Sequence, residues 1–313
     1  MKLTVIIPTR NGQDTLRELL AGLSIQTLAP DEILVIDSAS DDQTVEVATR
    51  FGARVHRIAL DEFDHGGTRS MAARMAVGEL LVFMTQDVLP ASRQLLEKLV
   101  EPIVNSAEIA ASYARQLPAF DADDIATHLR LFNYPEQSAV KDLNDRSRLG
   151  FQAVFLSNSC AAYRRSSLEA IGYFESNLIF GEDSAAAGKL LEHGERIAYA
   201  ADARVYHSHN YSWQEEFRRY FDIGVFHRRQ RWLLDTYGGA SGRGVDYIRS
   251  GLTYLWRRRS YRMIGDFVVR VGLKFCGYRL GRFHTMLPPR LAARLSMNGR
   301  WWRNLAAAES KQD

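Results

Sequence analysis

An aspartate ends a short apolar run in the first third of the sequence. Residues 80–90 read Leu-Leu-Val-Phe-Met-Thr-Gln-Asp-Val-Leu-Pro. The length and composition are typical of a strand buried on both faces. Ligands of open α/β sheets bind at the carboxyl ends of the strands. We therefore predict that Asp87 is a site residue.

A second acidic position, Glu182-Asp183, follows a glycine at the start of a predicted helix. Acids in the first turn of a helix are often only partners of the helix dipole, and that interpretation stays open. A group-transfer enzyme, however, needs a carboxylate that takes a proton from an attacking hydroxyl, and a loop-to-helix junction can present one to a cleft. Asp183 is the predicted base.

Two histidines stand two residues apart in the segment Val-Tyr-His-Ser-His at 205–209. If this segment is extended, His207 and His209 lie on one face. One imidazole could join Asp87 in holding a divalent cation over a diphosphate. The absence of a nearby cysteine or further carboxylate argues against zinc. A histidine pair without function is the alternative.

Two further features favour a nucleotide-binding half. Asp37 ends an apolar run and could accept a hydrogen bond from a pyrimidine ring N–H or a ribose hydroxyl. Asp37 could instead cap the helix that follows, but Asp41 and Asp42 can already supply that cap.

The run Phe-Asp-His-Gly-Gly-Thr-Arg at 63–69 opens a helix. Glycines there let the backbone approach a phosphate closely, and the Arg69 guanidinium could donate two hydrogen bonds to an anion.

These residues need an alternating scaffold to bring them together. Apolar runs alternate with helical patterns through the first hundred residues, which predicts an α/β fold with a mainly parallel sheet covered on both sides by helices. The predicted strands are 3–8, 32–37, 54–58 and 80–87, with a helix at about 68–77.

The middle of the sequence is less regular, and the end is helical. Residues 109–117 could form an edge strand, and residues 120–141 a helix and loop suited to a lid or an acceptor-binding insertion. Residues 151–163 should return to the sheet. Beyond residue 213 the pattern is helical to the end.

The charge is unevenly distributed along the 313 residues. Residues 1–200 carry 19 Lys and Arg against 28 Asp and Glu, a net charge of −9, whereas residues 201–313 carry 21 against 9, a net charge of +12. The basic part favours an anionic partner, either a membrane surface or a phosphate-bearing substrate. A solvated helical surface is the alternative. No nucleic-acid partner is expected, and an oligomer stays open.

The composition also predicts the location of the protein. Cys160 and Cys276 show no metal-binding spacing, which indicates a reducing cytoplasm without disulfides. The first strand begins at residue 3, so we expect no signal peptide, and no apolar segment is long enough to span a bilayer. Aromatic residues stand next to arginines at 256–259, 278–279 and 301–303. These segments either contact the inner face of the plasma membrane or pack on the rest of the chain.

Together these pieces resemble the family 2 inverting glycosyltransferases of the GT-A fold, from Leu3 to about Tyr211. The run Val-Ile-Ile-Pro-Thr-Arg-Asn at 5–11 is similar to the first strand of the family, 33–42 to its second, and Arg69-Ser70 to its arginine-containing helix start. The acceptor-side half looks like 172–174, 181–183, 190–194 and His207. The resemblance implies a GT-A catalytic domain at 1–211, with a nucleotide-binding half to about 105 and an acceptor half from about 106, and a helical extension at 212–313.

The resemblance also implies roles for individual residues. Asp183 would be the catalytic base, Glu182 would lie on the acceptor side, and Asp87 with His207 or His209 would hold Mg²⁺ or Mn²⁺. The family usually shows Asp-x-Asp where this sequence has Thr85-Gln86-Asp87, so fewer charged ligands remain for the metal. The implied nucleotide-sugar-binding residues are Pro8, Thr9, Arg10, Asn11, Asp37, Arg69, Gln86 and Asp87.

The combination of Asp-His-Gly-Gly-Thr-Arg and Thr-Gln-Asp looks like the rhamnosyltransferases of surface polysaccharide assembly. This resemblance implies transfer of L-rhamnose from dTDP-L-rhamnose to a hydroxyl of a growing surface polysaccharide or lipid-linked glycan. A UDP- or GDP-sugar donor is an alternative. Two other classes stay open, a sugar-phosphate nucleotidyltransferase and a non-catalytic nucleotide-sugar-binding scaffold. The first normally has a glycine-rich, basic loop after the first strand, which residues 9–14 barely provide.

Overall fold

The computed structural model describes residues 1–239 and 242–309, which form one nine-stranded sheet flanked by helices. The central strands are nearly continuous apolar runs, so both of their faces are buried. The strands are β1 Leu3–Thr9, β2 Glu32–Ser38, β3 Arg54–Ile58, β4 Leu80–Met84, β5 Leu89–Pro90, β6 Ile109–Leu117, β7 Ala139–Lys141, β8 Cys160–Arg164 and β9 Arg196–Tyr206.

The helices begin and end close to the predicted positions in the first half, and they fill the chain after β9. The α-helices of the described ranges are α1 Gln13–Ser24, α2 Thr44–Arg50, α3 His65–Met75, α4 Leu95–Asn105, α5 Asp124–Asn133, α6 Arg146–Leu149, α7 Arg165–Ala170, α8 Glu182–Glu192, α9 Trp213–Arg229, α10 Arg231–Tyr237, α11 Arg243–Arg257, α12 Tyr261–Arg282, α13 Pro289–Leu295 and α14 Gly299–Glu309. Short 3₁₀ helices lie at Leu60–Glu62, Leu143–Asp145, Gly150–Val154 and His284–Met286.

The sheet has the order β3-β2-β1-β4-β8-β6-β9-β5, and β7 pairs with β9. Strands β1 to β4 pair in parallel, as predicted. Strand β8 runs antiparallel to both β4 and β6, and β5 and β7 run antiparallel to β9, while β6 and β9 are parallel. The sheet is therefore parallel in its first half and mixed as a whole.

Two predictions about strands were wrong. Residues 109–117 do not form an edge strand, since β6 lies between β8 and β9. The sequence did not indicate a buried strand because its residues are small. Ala110, Ala111 and Ser112 are fully buried although none is large and apolar. The run that ends at Asp87 is not one strand either. β4 stops at Met84, and β5 is a separate two-residue strand that includes Pro90, where a missing N–H is tolerated at the sheet edge.

A hydrophobic core lies on each face of the sheet. Side chains alternate between the cores, so that Ile6 and Phe83 face one cluster while Ile7 and Val82 face the other. Helices α1 and α4 cover the second face. The first face is covered by α3 and α8 and by residues of the C-terminal helices, including Trp301 and Trp302. The two cores hold the strand ends rigidly, which positions the site.

The C-terminal helices pack tightly on one another and on the sheet. Gly281 on α12 contacts the backbone of α9 so closely that an added Cβ would lie 2.0 Å from the carbonyl oxygen of Phe221. Glu216 pairs with Arg270 and Lys274 in the same interface, at 3.3 and 3.2 Å.

No helix in the described ranges is both long and apolar enough to cross a membrane. Cys160 and Cys276 are both free.

Candidate functional site

Asp87 and the two histidines meet at one end of the sheet. Asp87 lies in the turn between β4 and β5, and Leu89 of β5 pairs with Tyr206 at the end of β9. His207 and His209 follow β9 directly, so this pairing brings them to Asp87. Their Nε2 atoms lie 3.4 and 3.6 Å from Asp87 Oδ2. The sequence predicted one histidine at this carboxylate, and the structure places both there.

A glutamine that the sequence analysis missed determines the orientation of His207. His207 Nδ1 lies 3.0 Å from Gln116 Oε1, and Arg130 also donates to this oxygen. Because a guanidinium can only donate, the atom between Arg130 and His207 must be the amide oxygen. His207 Nδ1 therefore carries a proton, and in the neutral ring the lone pair of Nε2 faces Asp87.

This cluster has the chemistry of a metal site. One ligand atom from each of Asp87, His207 and His209 lies within 4.8 Å of the others. Burial acts to raise the pKa of Asp87, but a His207 ring with protons on both nitrogens donates to it and is charged, which outweighs burial and holds the pKa well below the usual range. Burial and the neighbouring His207 lower the pKa of His209. A carboxylate and two imidazoles could hold a divalent cation.

Gln86 connects the end of β4 to the loop after β1. Its Oε1 accepts hydrogen bonds from Thr9 Oγ1 and, at 2.8 Å, from the Arg10 N–H, and its Nε2 donates to the Arg10 carbonyl at 3.1 Å. An amide can accept and donate at once, which a carboxylate cannot. The middle residue of Thr85-Gln86-Asp87 therefore holds the loop after β1 in place.

Asp37 is a buried carboxylate with a free acceptor. Its Oδ2 accepts from the Ser40 N–H at 3.1 Å and lies 3.6 Å from Arg57 Nε. Its Oδ1 has no hydrogen-bond partner within the described residues, although the side chain is fully buried. A buried polar atom of this kind is costly unless a ligand supplies the donor.

The neighbouring loops carry the remaining predicted nucleotide-binding residues. Pro8 lies in β1 opposite Ile36, next to the Thr9–Asp37 pair. Arg10 is exposed, while Asn11 has a φ of +46°. The side chain of Asn11 accepts from the Asp41 N–H at 3.0 Å and thereby joins the loops after β1 and β2.

Asp183 stands in the first turn of α8 and keeps part of its surface exposed. Oδ2 accepts from the Asn158 N–H at 3.2 Å, and Oδ1 accepts from the Ser184 N–H at 2.7 Å. Burial and the adjacent charge of Glu182 raise the pKa of Asp183 to about 7. A carboxylate with this pKa is suited to accept a proton near neutral pH.

Glu182 and Arg69 form a buried ion pair beside this carboxylate. Arg69 Nη1 lies 3.2 Å from Glu182 Oε1, and both side chains are buried. Burial acts to raise the pKa of Glu182, but Arg69 outweighs it and lowers the pKa. The sequence analysis expected Arg69 at a donor diphosphate, whereas the structure gives it a carboxylate partner and the carbonyl of His65, at 3.0 Å. The helix begins at His65, three residues before the predicted start.

Asn158 links the two acids and was also missed. Its Nδ2 donates to Glu182 Oε1 at 3.2 Å, its Oδ1 accepts from the Tyr163 hydroxyl at 2.7 Å, and its N–H reaches Asp183. Asn158 lies within residues 151–163, which the sequence predicted to return to the sheet, but β8 begins only at Cys160. The one available signal was a polar residue inside a stretch of small and apolar residues.

Asp87 and Asp183 lie at the same end of the strands of the sheet. Met84, the last residue of β4, pairs with Cys160, the first residue of β8. Asp87 lies three residues beyond Met84, and Asn158, which holds Asp183, lies two residues before Cys160. Gln116 joins both groups, because it contacts His207 and donates to Ser157 Oγ at 3.0 Å. Gln116 therefore contacts both His207 of the first group and Ser157, the sequence neighbour of the residue that donates to Asp183.

Comparison with known proteins gives consistent matches along the whole chain. Residues 4–172 match the family described as glycosyl transferase family 2, and residues 92–308 match glycosyl transferase family group 2. The O-antigen chain rhamnosyltransferase RfbN of Salmonella typhimurium is 39% identical over 100% of this chain and 99% of its own length. The O-antigen chain rhamnosyltransferase WbaN of Salmonella anatum is 38% identical over 99% of this chain and 98% of its own.

Solved structures show the same fold at low sequence identity. A mannosyltransferase from Pyrobaculum calidifontis, in complex with GDP-Man and Mn²⁺, matches 94% of this chain and 84% of its own with a TM-score of 0.59 and 19% identity. Residues 1–349 of TarS from S. aureus match 95% of this chain and 84% of that chain, with a TM-score of 0.56 and 20% identity. These matches confirm the predicted fold class.

Proposed function

The chain belongs to glycosyl transferase family 2 and is a glycosyltransferase, and we propose that it transfers L-rhamnose from dTDP-L-rhamnose to a hydroxyl of a growing O-antigen chain. The observation that carries the proposal is a carboxylate whose pKa is raised to about 7, at the same end of the strands as an Asp-His-His cluster. The two full-length relatives are both named O-antigen chain rhamnosyltransferases.

In this proposal Asp183 is the general base. Its ionised carboxylate accepts the proton of the acceptor hydroxyl while that oxygen forms a bond to the anomeric carbon, and the bond from this carbon to the diphosphate breaks. The result is a single displacement with inversion. At pH 7 about half of the Asp183 carboxyl groups are ionised, since the pKa is about 7.

Glu182 and Arg69 set the proton affinity of this base. Glu182 is kept ionised by Arg69 and by the amide of Asn158, and its negative charge raises the pKa of Asp183. We therefore propose that Arg69 acts on the acceptor side of the cleft, through Glu182, and that Glu182 is a positioning residue. The earlier assignment of Arg69 to the diphosphate is replaced.

Asp87, His207 and His209 would hold a divalent cation. When bound, the cation would offset the negative charge that develops on the departing diphosphate. Two imidazoles in the ligand set favour Mn²⁺ over Mg²⁺, because Mg²⁺ prefers oxygen ligands. Gln116 keeps the lone pair of His207 Nε2 directed at this site.

The donor nucleotide would lie across the loops after β1 and β2. The unpaired Oδ1 of Asp37 is placed to accept the ring N–H of thymine. Gln86 supports this surface by holding Thr9 and Arg10. Uracil carries the same ring N–H, so the base contact alone does not separate dTDP- from UDP-sugars.

A direct test measures nucleotide release from a panel of sugar nucleotides. With Mn²⁺ present, the protein should release dTDP from dTDP-L-rhamnose faster than it releases UDP or GDP from UDP-glucose or GDP-mannose. Chelation of the metal with EDTA should reduce the release. Faster turnover of a UDP- or GDP-sugar would contradict the proposed donor, and release of pyrophosphate from dTTP and a sugar phosphate would indicate a nucleotidyltransferase.

A further inference from the structure

The start of α3 packs against the segment that leads into α8. We call residues 64–70 the α3 start and residues 172–181 the α8 linker. The α3 start contains the Asp-His-Gly-Gly-Thr-Arg run, where the sequence predicted a close approach to phosphate. The α8 linker ends at Gly181, directly before Glu182 and Asp183. The two segments lie far apart in the chain, so only the fold brings them together.

Gly66 lies against the backbone of the α8 linker. A Cβ atom added to Gly66 would be 1.8 Å from the carbonyl oxygen of Glu175. Gly66 is buried in this contact. A glycine is required here because a side chain would push the two segments apart. The close approach that the sequence predicted for a phosphate is therefore made by the backbone of the protein itself.

Two polar side chains of the α3 start hold the backbone of the α8 linker. Ser70 Oγ accepts from the Phe174 N–H at 3.0 Å, and its hydroxyl donates to the Phe174 carbonyl at 2.9 Å. Asp64 accepts from the Gly67 N–H at 2.5 Å through Oδ1 and from the Asn177 N–H at 3.0 Å through Oδ2. Asp64 therefore caps α3 and holds the linker at the same time.

The α8 linker has a strained backbone at two positions. Tyr173 and Asn177 have φ values of +67° and +60°, in the left-handed region that residues with a side chain rarely adopt. Such positions persist where the surrounding contacts fix them, and they are concentrated at functional sites. Ser70 and Asp64 bind the linker at Phe174 and at Asn177, next to the first of these positions and at the second.

Residues near the C-terminus hold the linker from another side. Trp301 Nε1 donates to the Asn177 carbonyl at 2.9 Å, and Asn298 Nδ2 donates to the Ile179 carbonyl at 3.2 Å. Just beyond the linker, Arg69 of the α3 start pairs with Glu182 at 3.2 Å. The linker is therefore fixed along its length up to the first turn of α8, which carries Asp183.

We infer that the α3 start positions the base and does not bind the donor diphosphate. Asp64, Gly66 and Ser70 fix the course of the α8 linker, and this course determines where α8 begins and where Asp183 lies. The inference rests on the proposed glycosyl transfer and names positioning residues for its base. It also gives the glycines of the Asp-His-Gly-Gly-Thr-Arg run a role within the fold.

Two single variants of the full chain test the inference. Gly66→Ala places a methyl group against the Glu175 carbonyl, whereas Asp64→Ser keeps a good helix cap but is too short to reach the Asn177 N–H. We expect kcat for rhamnose transfer to fall about a hundredfold in the first variant and about tenfold in the second, because the base is displaced. The calorimetric affinity for dTDP should stay within about twofold in both.

Hydrogen exchange measured by mass spectrometry examines the linker without any substrate. Amides of residues 173–183 should exchange at least about tenfold faster in both variants than in the wild type, because they lose a hydrogen-bond acceptor or their packing. Peptides from residues 3–38, which include the proposed thymine-binding surface, should exchange as in the wild type. Asp64→Ser introduces no steric clash, so it keeps the test decisive if Gly66→Ala does not fold.

Each variant has a matched control. Gly265→Ala adds the same methyl group to a glycine of α12 whose Cβ position is open. Asp123→Ser changes the cap of α5, where the carboxylate accepts from the Ala126 N–H at 2.7 Å. Both controls should match the wild type in kcat, in dTDP affinity and in the exchange of the α8 linker.

The outcomes separate this inference from the proposed function. Weaker dTDP binding in Asp64→Ser or Gly66→Ala would overturn the inference, since the α3 start would then contact the donor. Unchanged exchange of the linker, or an unchanged kcat, would overturn it as well. Failure of the wild-type protein to transfer rhamnose from dTDP-L-rhamnose would refute the proposed function, whereas the exchange comparison would still decide whether the α3 start holds the linker.

Discussion

Asp183 and Glu182 are adjacent carboxylates that occupy different protonation states because their surroundings differ. Glu182 has a buried arginine partner, whereas Asp183 has two backbone N–H donors and a negative neighbour. The pKa of the first is lowered, and that of the second is raised to about 7. When the surroundings of two neighbouring carboxylates move their pKa values in opposite directions, the two acids are suited to different roles. Here the shifts favour proton transfer for Asp183 and a structural role for Glu182.

Replacement of the base should abolish most of the transfer. Asp183→Asn cannot accept the acceptor proton, so we expect kcat to fall about a hundredfold or more while the affinity for dTDP stays within about twofold. Rhamnose transfer and calorimetric dTDP binding measure the two quantities. The same substitution at Asp235, an exposed residue of α10, is the control. Near-normal transfer by Asp183→Asn would show that another group is the base.

The activity should rise with pH through the pKa of Asp183. Since only the ionised form accepts a proton, kcat/KM should increase about tenfold from about pH 6 to about pH 8. Glu182→Gln removes the negative neighbour and leaves Arg69 unpaired, and both changes lower the pKa of Asp183. The rising limb of the pH profile should therefore move to lower pH. Glu192→Gln, at the exposed end of α8, should leave the profile unchanged.

The raised pKa also affects stability. The folded-state pKa of Asp183 is above its ordinary value of 3.8, so the folded protein resists losing this proton. The contribution of Asp183 to the free energy of unfolding is therefore largest at low pH and decreases as the pH rises from about 4 to about 7. Asp183 therefore stabilises the fold least at the pH at which the proposed base would be ionised.

Gln116 should control metal affinity without touching the metal. Gln116→Leu removes the acceptor that fixes the proton on His207 Nδ1, and we expect the affinity for Mn²⁺ to fall about 10- to 100-fold. Calorimetric titration with Mn²⁺ measures this. Gln26→Leu, which also removes a buried glutamine but lies away from the site, is the control. Equal Mn²⁺ affinity in the wild type and Gln116→Leu would refute the role of Gln116.

At the scale of elements, the predicted features were those that depend on local patterns. Strands β1 to β3 and the first turn of α8 follow from apolar runs and turn residues near them in sequence. Asp37, near the end of β2, and Asp87, after β4, could be predicted as site residues from the sequence because each ends an apolar run. Gln116 and Asn158 could not, since their roles come from the placement of β6 beside β9 and of β8 beside β4, and these pairings join residues far apart in the chain.

The turn after β4 also shows how an element changes a familiar motif. Gln86 makes three hydrogen bonds to Thr9 and Arg10, and one of them requires an amide donor. Gln86→Asp adds a second acid beside Asp87, but a carboxylate cannot donate to the Arg10 carbonyl. We expect the affinity for dTDP to fall about tenfold, with no gain in Mn²⁺ affinity. Gln86→Glu keeps the length and the acceptor and should have a smaller effect.

Calorimetry with dTDP and with Mn²⁺ distinguishes the two roles of this position. A higher Mn²⁺ affinity in Gln86→Asp together with unchanged dTDP binding would show that Gln86 is a weakened metal position. A lower dTDP affinity would show that the contact between β1 and β4 is what the glutamine provides.

At the scale of the whole molecule, the aromatic residues of the C-terminal helices divide into two groups. Trp301 and Trp302 belong to the main core, with exposed fractions of 7% and 8%, whereas Trp256 is 65% exposed. The sequence could not separate packing from surface contact, because both kinds of segment interleave tryptophan and arginine. The structure assigns packing to the last helix and leaves the end of α11 with an aromatic and basic surface. A chain shortened at residue 250 would lose part of the core, so point variants are the better test of membrane contact.

We propose that the end of α11 contacts an anionic bilayer. Trp256 and the exposed arginines Arg257 and Arg259 lie together, while Arg258 pairs with Asp124. Each arginine near an anionic surface contributes about 1 kcal/mol, and tryptophan is favoured at the interface. The variant Trp256→Ala, Arg257→Gln, Arg259→Gln should therefore sediment with vesicles containing phosphatidylglycerol at least about tenfold less strongly than the wild type. Vesicles of phosphatidylcholine alone should bind both proteins weakly.

A variant with Trp213→Ala, Arg218→Gln, Arg228→Gln is the control, since it removes an exposed tryptophan and two arginines from α9. Equal sedimentation of the first variant and the wild type would show that the end of α11 does not contact the bilayer.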